Sequence, residues 1–202
     1  MGRLALLFPI ILMLAGGTIV SYPLSPAIGF AVKKPTPTLP YASKLSSTDT
    51  GSAAIATLGQ LPVIGTKPTP AENRVVIPSI GVDMEIFEGP DEKTLDKGGT
   101  WRIPSTSTPD QGGNTVVSGH RWRYLPPSNS TLYLLDKVKD GEPVIVYWHG
   151  KEYDYRISGR EVVDPSRVEI LNNTATPRLT IFTCTPLYST KQRLVLYGEL
   201  IS

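Results

Sequence analysis

The chain has 202 residues, a net charge of +2 and one cysteine, Cys184. Its basic residues are nearly balanced by acidic ones and do not cluster, so it lacks the charge footprint of a nucleic-acid-binding protein. A lone thiol excludes an internal disulfide and leaves Cys184 either an inert core residue or a reactive one.

Met1-Gly2-Arg3 is followed by LALLFPIILMLAGGTIV, residues 4–20, without a charge, and the apolar character continues past residue 28. Seventeen helical residues span roughly 26 Å, close to the ~30 Å of a hydrocarbon core. The run exceeds the apolar segment of a secretory signal, and no A-x-A-like cleavage site follows it. The expectation is a cytoplasmic tail (1–3) and a transmembrane signal-anchor (4–28), kinked at Pro9. Arg3 keeps the tail inside and leaves the rest of the chain outside, a single-pass protein of the cell membrane. Residues 29–70 are rich in Pro, Ser and Thr with no 2.0 or 3.6 periodicity, which predicts a semi-extended extracellular tether. Its apolar stretch IATLGQLPVIG is the part suited to pack on a domain.

Residues 71–202 suffice for one domain with one core. NRVVIPSI and VDMEIFEG read as opening strands, and NTVVSGH follows a turn-like PDQGG. EPVIVYWHGKEYDYRISGREVVD reads as a hairpin about His149-Gly150, alternating apolar and polar on both arms. RLTIFTC and QRLVLYGELI close the chain. Helix candidates are STLYLLDKV, with Leu132, Leu135 and Val138 on one face and Ser130 as a cap, and the short DPSRVEIL. The pattern is mainly β, a closed or nearly closed barrel with one or two short helices.

At pH 7 an unperturbed thiol is roughly 3% thiolate and an imidazole about a quarter protonated, so a catalytic cysteine needs a cation or histidine nearby. His149 belongs to a hairpin tip and reads as a solvated turn residue. His120 ends the apolar strand TVVSGH, where a β scaffold presents functional side chains. Arg193 follows Cys184 by nine residues. If LTIFTC and RLVLYGEL are neighbours, its guanidinium enters beside the thiol, suited to hold a carbonyl or oxyanion.

T-I-F-T-C (Thr180–Cys184) resembles the T-L-x-T-C motif of sortases, membrane-anchored cysteine transpeptidases of bacterial surfaces. S-G-H-R (Ser118–Arg121) resembles their histidine segment, and C-T-P…Q-R-L-V-L-Y-G the stretch in which an arginine follows the cysteine. VVIPSIGVDMEIFEG is similar to the family's opening strands, and LDKVKDGEPVIVYWHGKEYDYRI to its middle hairpin. The resemblance covers essentially all of residues 71–202. It implies an eight-stranded β-barrel in which His120, Cys184 and Arg193 converge at one end of a groove. Cys184 would attack the Thr-Gly carbonyl of an LPxTG-like sorting signal, and His120 would protonate the leaving amine. Arg193, with Thr183 in support, would orient the substrate and stabilise the oxyanion. An amine from a peptidoglycan precursor or a pilin lysine would resolve the thioester. No cofactor is implied, and no carboxylate cluster is assigned to calcium. Ile181 replaces the motif's leucine. Asp164-Pro165 is followed by Ser166 rather than the aromatic of the pilin-building members' lid, and no apolar tail precedes Ser202, so anchoring is favoured over pilus assembly.

The sequence leaves two alternatives, a peptide hydrolase on the same barrel and a tethered, non-catalytic peptide-binding barrel with an inert thiol. An L,D-transpeptidase is disfavoured, because His120 and Cys184 stand 64 residues apart.

Overall fold

The computed structural model describes residues 2–42, 57–62, 67–123 and 130–202. An apolar amino-terminal helix α1 (Gly2–Ser21) is followed by a 3-10 turn at Tyr22–Leu24 and by α2 (Ser25–Val32). Helical backbone continues past Pro9. A break in the helix falls at Tyr22–Leu24, where Pro23 and Pro26 stand three residues apart and withdraw two backbone donors. Among the described residues no helix is long and apolar enough to cross a membrane.

Eight strands follow: β1 (Arg74–Ile77), β2 (Val82–Phe87), β3 (Thr100–Arg102), β4 (Asn114–Gly119), β5 (Pro143–Trp148), β6 (Lys151–Val163), β7 (Arg178–Thr185) and β8 (Gln192–Leu200). They close into a barrel in the order β1-β2-β3-β4-β7-β8-β6-β5. Closure leaves no unpaired edge. The β2–β3 and β4–β7 pairs are parallel and the rest antiparallel.

Period-2 alternation fills the barrel. Val82, Met84 and Ile86 of β2 point inward, with Leu179 and Ile181 of β7 and Leu194 and Leu196 of β8. The β5–β6 hairpin turns at His149-Gly150, both at positive φ, as a two-residue hairpin turn of the primed kind requires. β5 departs from the expected alternation, because all six of its residues are buried. The cover on its outer face comes from the stretch expected to be tether. Leu39, Tyr41 and Leu58 are buried against Val76, Ile145 and Tyr147, with Leu61 and Ile201 alongside. Tyr41 donates to Asp83 Oδ2 at 3.0 Å, and Leu39 N–H to Pro62 O at 2.8 Å. The apolar side chains Leu39 and Leu58 favour this strap over a solvated linker by an amount on the order of 2 kcal/mol each. The remainder of the expected tether, 43–56 and 63–66, lies outside the described residues.

The expected helix STLYLLDKV is a 3-10 turn, Leu135–Lys137, preceded by tight turns. Leu132, Leu135 and Val138 do share a buried face. Their spacing of three is the 3-10 period, which accounts for both results. DPSRVEIL likewise forms a 3-10 turn, Val168–Leu171.

Candidate active site

β4 and β7 run parallel and are registered up to Ser118 opposite Phe182. Carried one residue past the end of β4 at Gly119, the same register brings His120 level with Cys184. On the other side of β7, Cys184 pairs directly with Arg193 of β8. Strands lie about 4.8 Å apart, so the three residues form one row across β4, β7 and β8. Because Val117, Ile181 and Leu194 point into the core, the positions one step away, Ser118, Phe182 and Arg193, point out. His120 and Cys184 share that outer face, and both are half-buried.

Thr183 points the other way. It is 1% exposed, and its hydroxyl donates to Gly119 O at 2.8 Å. The bond fastens β7 to β4 one residue before the His120–Cys184 level. Gly119 admits this packing because a Cβ there would stand 2.8 Å from Leu132 Cδ1. Arg193 Nη1 donates to Thr190 O at 2.9 Å and Gln192 O at 3.2 Å, turning the guanidinium back over its own loop.

Three features escaped the sequence reading. Arg121 is 4% exposed, and its guanidinium donates to Thr185 Oγ1 and Asp136 Oδ1, both at 2.8 Å, with longer contacts to Tyr133 O and Cys184 O. It ties the segment after His120 to the residue after Cys184. Its place directly after His120 in S-G-H-R was its available signal. Asn114 donates to Ile170 O and Asn172 O at 2.9 Å and accepts from Thr180 Oγ1 at 2.7 Å. It thereby pins the β6–β7 connection over the start of β4 and β7. Beyond the row of His120, Cys184 and Arg193, Trp122 meets Tyr188 edge-on at 6.0 Å. Burial and a hydrogen bond with Tyr188 push the Tyr133 phenol up to about 12.

The His120 imidazole is held below its ordinary range, first by burial and then by the Arg123 charge, with Asp96 and Glu92 opposing. This is the reverse of the upward shift that would enrich a thiolate–imidazolium pair. His149 is solvent-exposed at its hairpin tip, 3.9 Å from Asp110, and takes no part in the row. Among the described residues no group of three or more His, Cys, Asp or Glu gathers as a metal site.

The family model for the sortase domain matches residues 75–201. The chain belongs to the sortase family. Among curated relatives, Sortase A of Bacillus anthracis is 24% identical over 160 residues, covering 79% of this chain and 70% of that protein. Sortase A of Listeria monocytogenes is 29% identical over 130 residues, covering 62% of this chain and 54% of its own length. The chain thus spans 54–70% of the length of these two proteins. Sortase C-1 of Actinomyces oris superposes with a TM-score of 0.58 at 29% identity, covering 66% of this chain and 75% of that one.

Proposed function

We propose that this sortase is a cysteine transpeptidase that cleaves an LPxTG-like sorting signal and passes the cleaved protein to an amine. The observation that carries the reading is the single row of His120, Cys184 and Arg193 on one outward face of three adjoining strands. In this reading Cys184 Sγ adds to the threonine carbonyl, giving its proton to His120. The imidazolium then protonates the departing amine, and a thioester remains. Arg193 donates to the carbonyl oxygen as it gains charge, which requires its guanidinium to leave the carbonyls of Thr190 and Gln192. Thr183 supports the site by holding β7 to β4. An acceptor amine, from a cell-wall precursor or a pilin lysine, attacks the thioester and restores the thiol.

The anchor belongs to the same proposal. Leu12, Met13, Leu14 and Ile19 of α1 are 64–81% exposed, an apolar surface suited to lipid. Residues 4–28 then hold the protein in the cell membrane with the barrel outside.

The test uses the full chain in detergent with a quenched fluorescent LPxTG-type peptide, with and without an added amine, beside Cys184→Ala. Amine-dependent product that the variant does not form supports transpeptidation. Cleavage indifferent to amine makes the protein a hydrolase. No cleavage across a panel of motifs, with an unreactive thiol, refutes both.

A further inference from the structure

Arg123 follows His120 by three residues, and the proposed reaction assigns it no task. Its Nη1 lies 3.3 Å from His120 Nε2. The same nitrogen donates to Asp96 Oδ1 at 2.6 Å and to Leu95 O at 3.2 Å, both on the 3-10 segment Glu92–Lys97. A guanidinium has no acceptor, so this contact is a hydrogen bond only when Nε2 carries a lone pair. Such a bond requires a neutral ring with its proton on Nδ1. An imidazolium in the same place would set two cations 3.3 Å apart.

The consequence falls on Cys184. A neutral imidazole has one nitrogen able to accept a proton, and here Arg123 occupies it. The thiol's proton has nowhere to go on the ring until the guanidinium withdraws, and the Asp96 carboxylate stands ready to take the guanidinium alone. We propose that Arg123 is a positioning residue, a latch that keeps His120 neutral and Cys184 a thiol in the resting site, released when Arg123 swings fully onto Asp96. The inference rests on the reading of His120 and Cys184 as a proton-exchanging pair. It adds a reason for that pair to be quiet before substrate arrives, since thiolate is the form open to adventitious oxidation.

The charges acting on the ring are Arg123 on its own segment and Asp96 and Glu92 on the 3-10 segment. Cys184 of β7 is the titratable neighbour in the row, with Arg193 of β8 beyond it, its guanidinium turned onto Thr190 O and Gln192 O. Arg123 lowers the ring's affinity for a proton and the two carboxylates raise it. Two substitutions therefore act in opposite directions. Arg123→Gln removes the opposing cation, and His120 should protonate at higher pH than in the wild type. Asp96→Asn frees Arg123 from its counter-charge, and His120 should protonate at lower pH. Arg123→Lys keeps the cation and should stay nearer the wild type than Gln does.

Both readouts use the full chain and need no substrate. His120 is followed by the pH titration of its ring proton resonances, with His149→Gln for assignment. Cys184, the sole thiol, is followed by iodoacetamide alkylation in a mass spectrometer between pH 5.5 and 8. Arg123→Gln should speed alkylation at pH 6.5 by roughly threefold or more as the thiolate fraction rises, and Asp96→Asn should slow it. Shifts of the same sign in both variants, or none in Arg123→Gln, would overturn the latch. Opposite shifts in a protein that cleaves no sorting peptide would keep the latch and discard the transpeptidase.

Discussion

Asp154 offers a direct measure of what the strap-covered side of the barrel costs. It lies on β6 opposite Ile145 and is 2% exposed. Ser202 Oγ donates to its Oδ2 at 2.8 Å, while Oδ1 has no hydrogen-bond partner among the described residues. Burial first, and the neighbouring Glu152 carboxylate second, push its carboxyl up to about 7 against the Ser202 bond. The fold thus prefers the protonated acid. Its contribution is complete below the unfolded value near 4 and is lost as pH rises through 7. Between pH 5 and 7 the unfolded chain is already ionised while the folded chain is not, two pH units worth about 1.4 kcal/mol each. Roughly 2–3 kcal/mol of stability should disappear over that interval. Asp154→Asn keeps an acceptor for Ser202 and removes the titration. Urea unfolding of both proteins at pH 5, 6, 7 and 8 should show the variant gaining on the wild type by that amount, or about 6–9 °C in melting temperature. A gap constant within about 0.5 kcal/mol across the series would refute the account of Asp154 as an ionisable group held neutral.

Thr183→Val removes a buried donor from Gly119 O and should lower stability by about 1–3 kcal/mol; Thr183→Ser, which keeps the donor, should recover most of it. If peptide cleavage by the Ser variant is also near wild type, the hydroxyl's task is to join β7 to β4. Asn114→Ala frees the β6–β7 connection from Ile170 O and Asn172 O. Steady-state kinetics should show KM rising more than kcat falls, and limited proteolysis should open 164–177. Arg121→Met takes the guanidinium from Thr185 and from Asp136, which stays partly exposed and paired with Lys137, and should cost about 1–3 kcal/mol in urea unfolding. Leu58→Ala strips the strap's buried leucine, with an expected loss of about 2–4 kcal/mol by calorimetry and faster amide exchange across β5.

The sequence by itself determined seven of the eight strands, the three-residue β3 (Thr100–Arg102) going unread, together with the hairpin at His149-Gly150 and the Cys184–Arg193 neighbourhood. These are local facts: period-2 alternation marks a half-buried strand, a His-Gly pair suits a primed turn, and two strands joined by a short loop pair with each other. The motifs bearing His120 and Cys184 were legible as a family likeness. Their convergence followed only from that likeness, because it depends on a parallel pairing of β4 with β7 across two intervening strands, and no local periodicity encodes it. The tertiary structure alone turned Thr183 inward, since a one-residue step along a strand decides which face a side chain takes and the core claimed Ile181 first. It alone showed the expected tether packed on β5, because a Pro- and Ser-rich stretch with a few leucines orders only where an apolar face awaits it. It also set Arg123 against His120 through Asp96, a carboxylate 24 residues away that only the fold brings within reach.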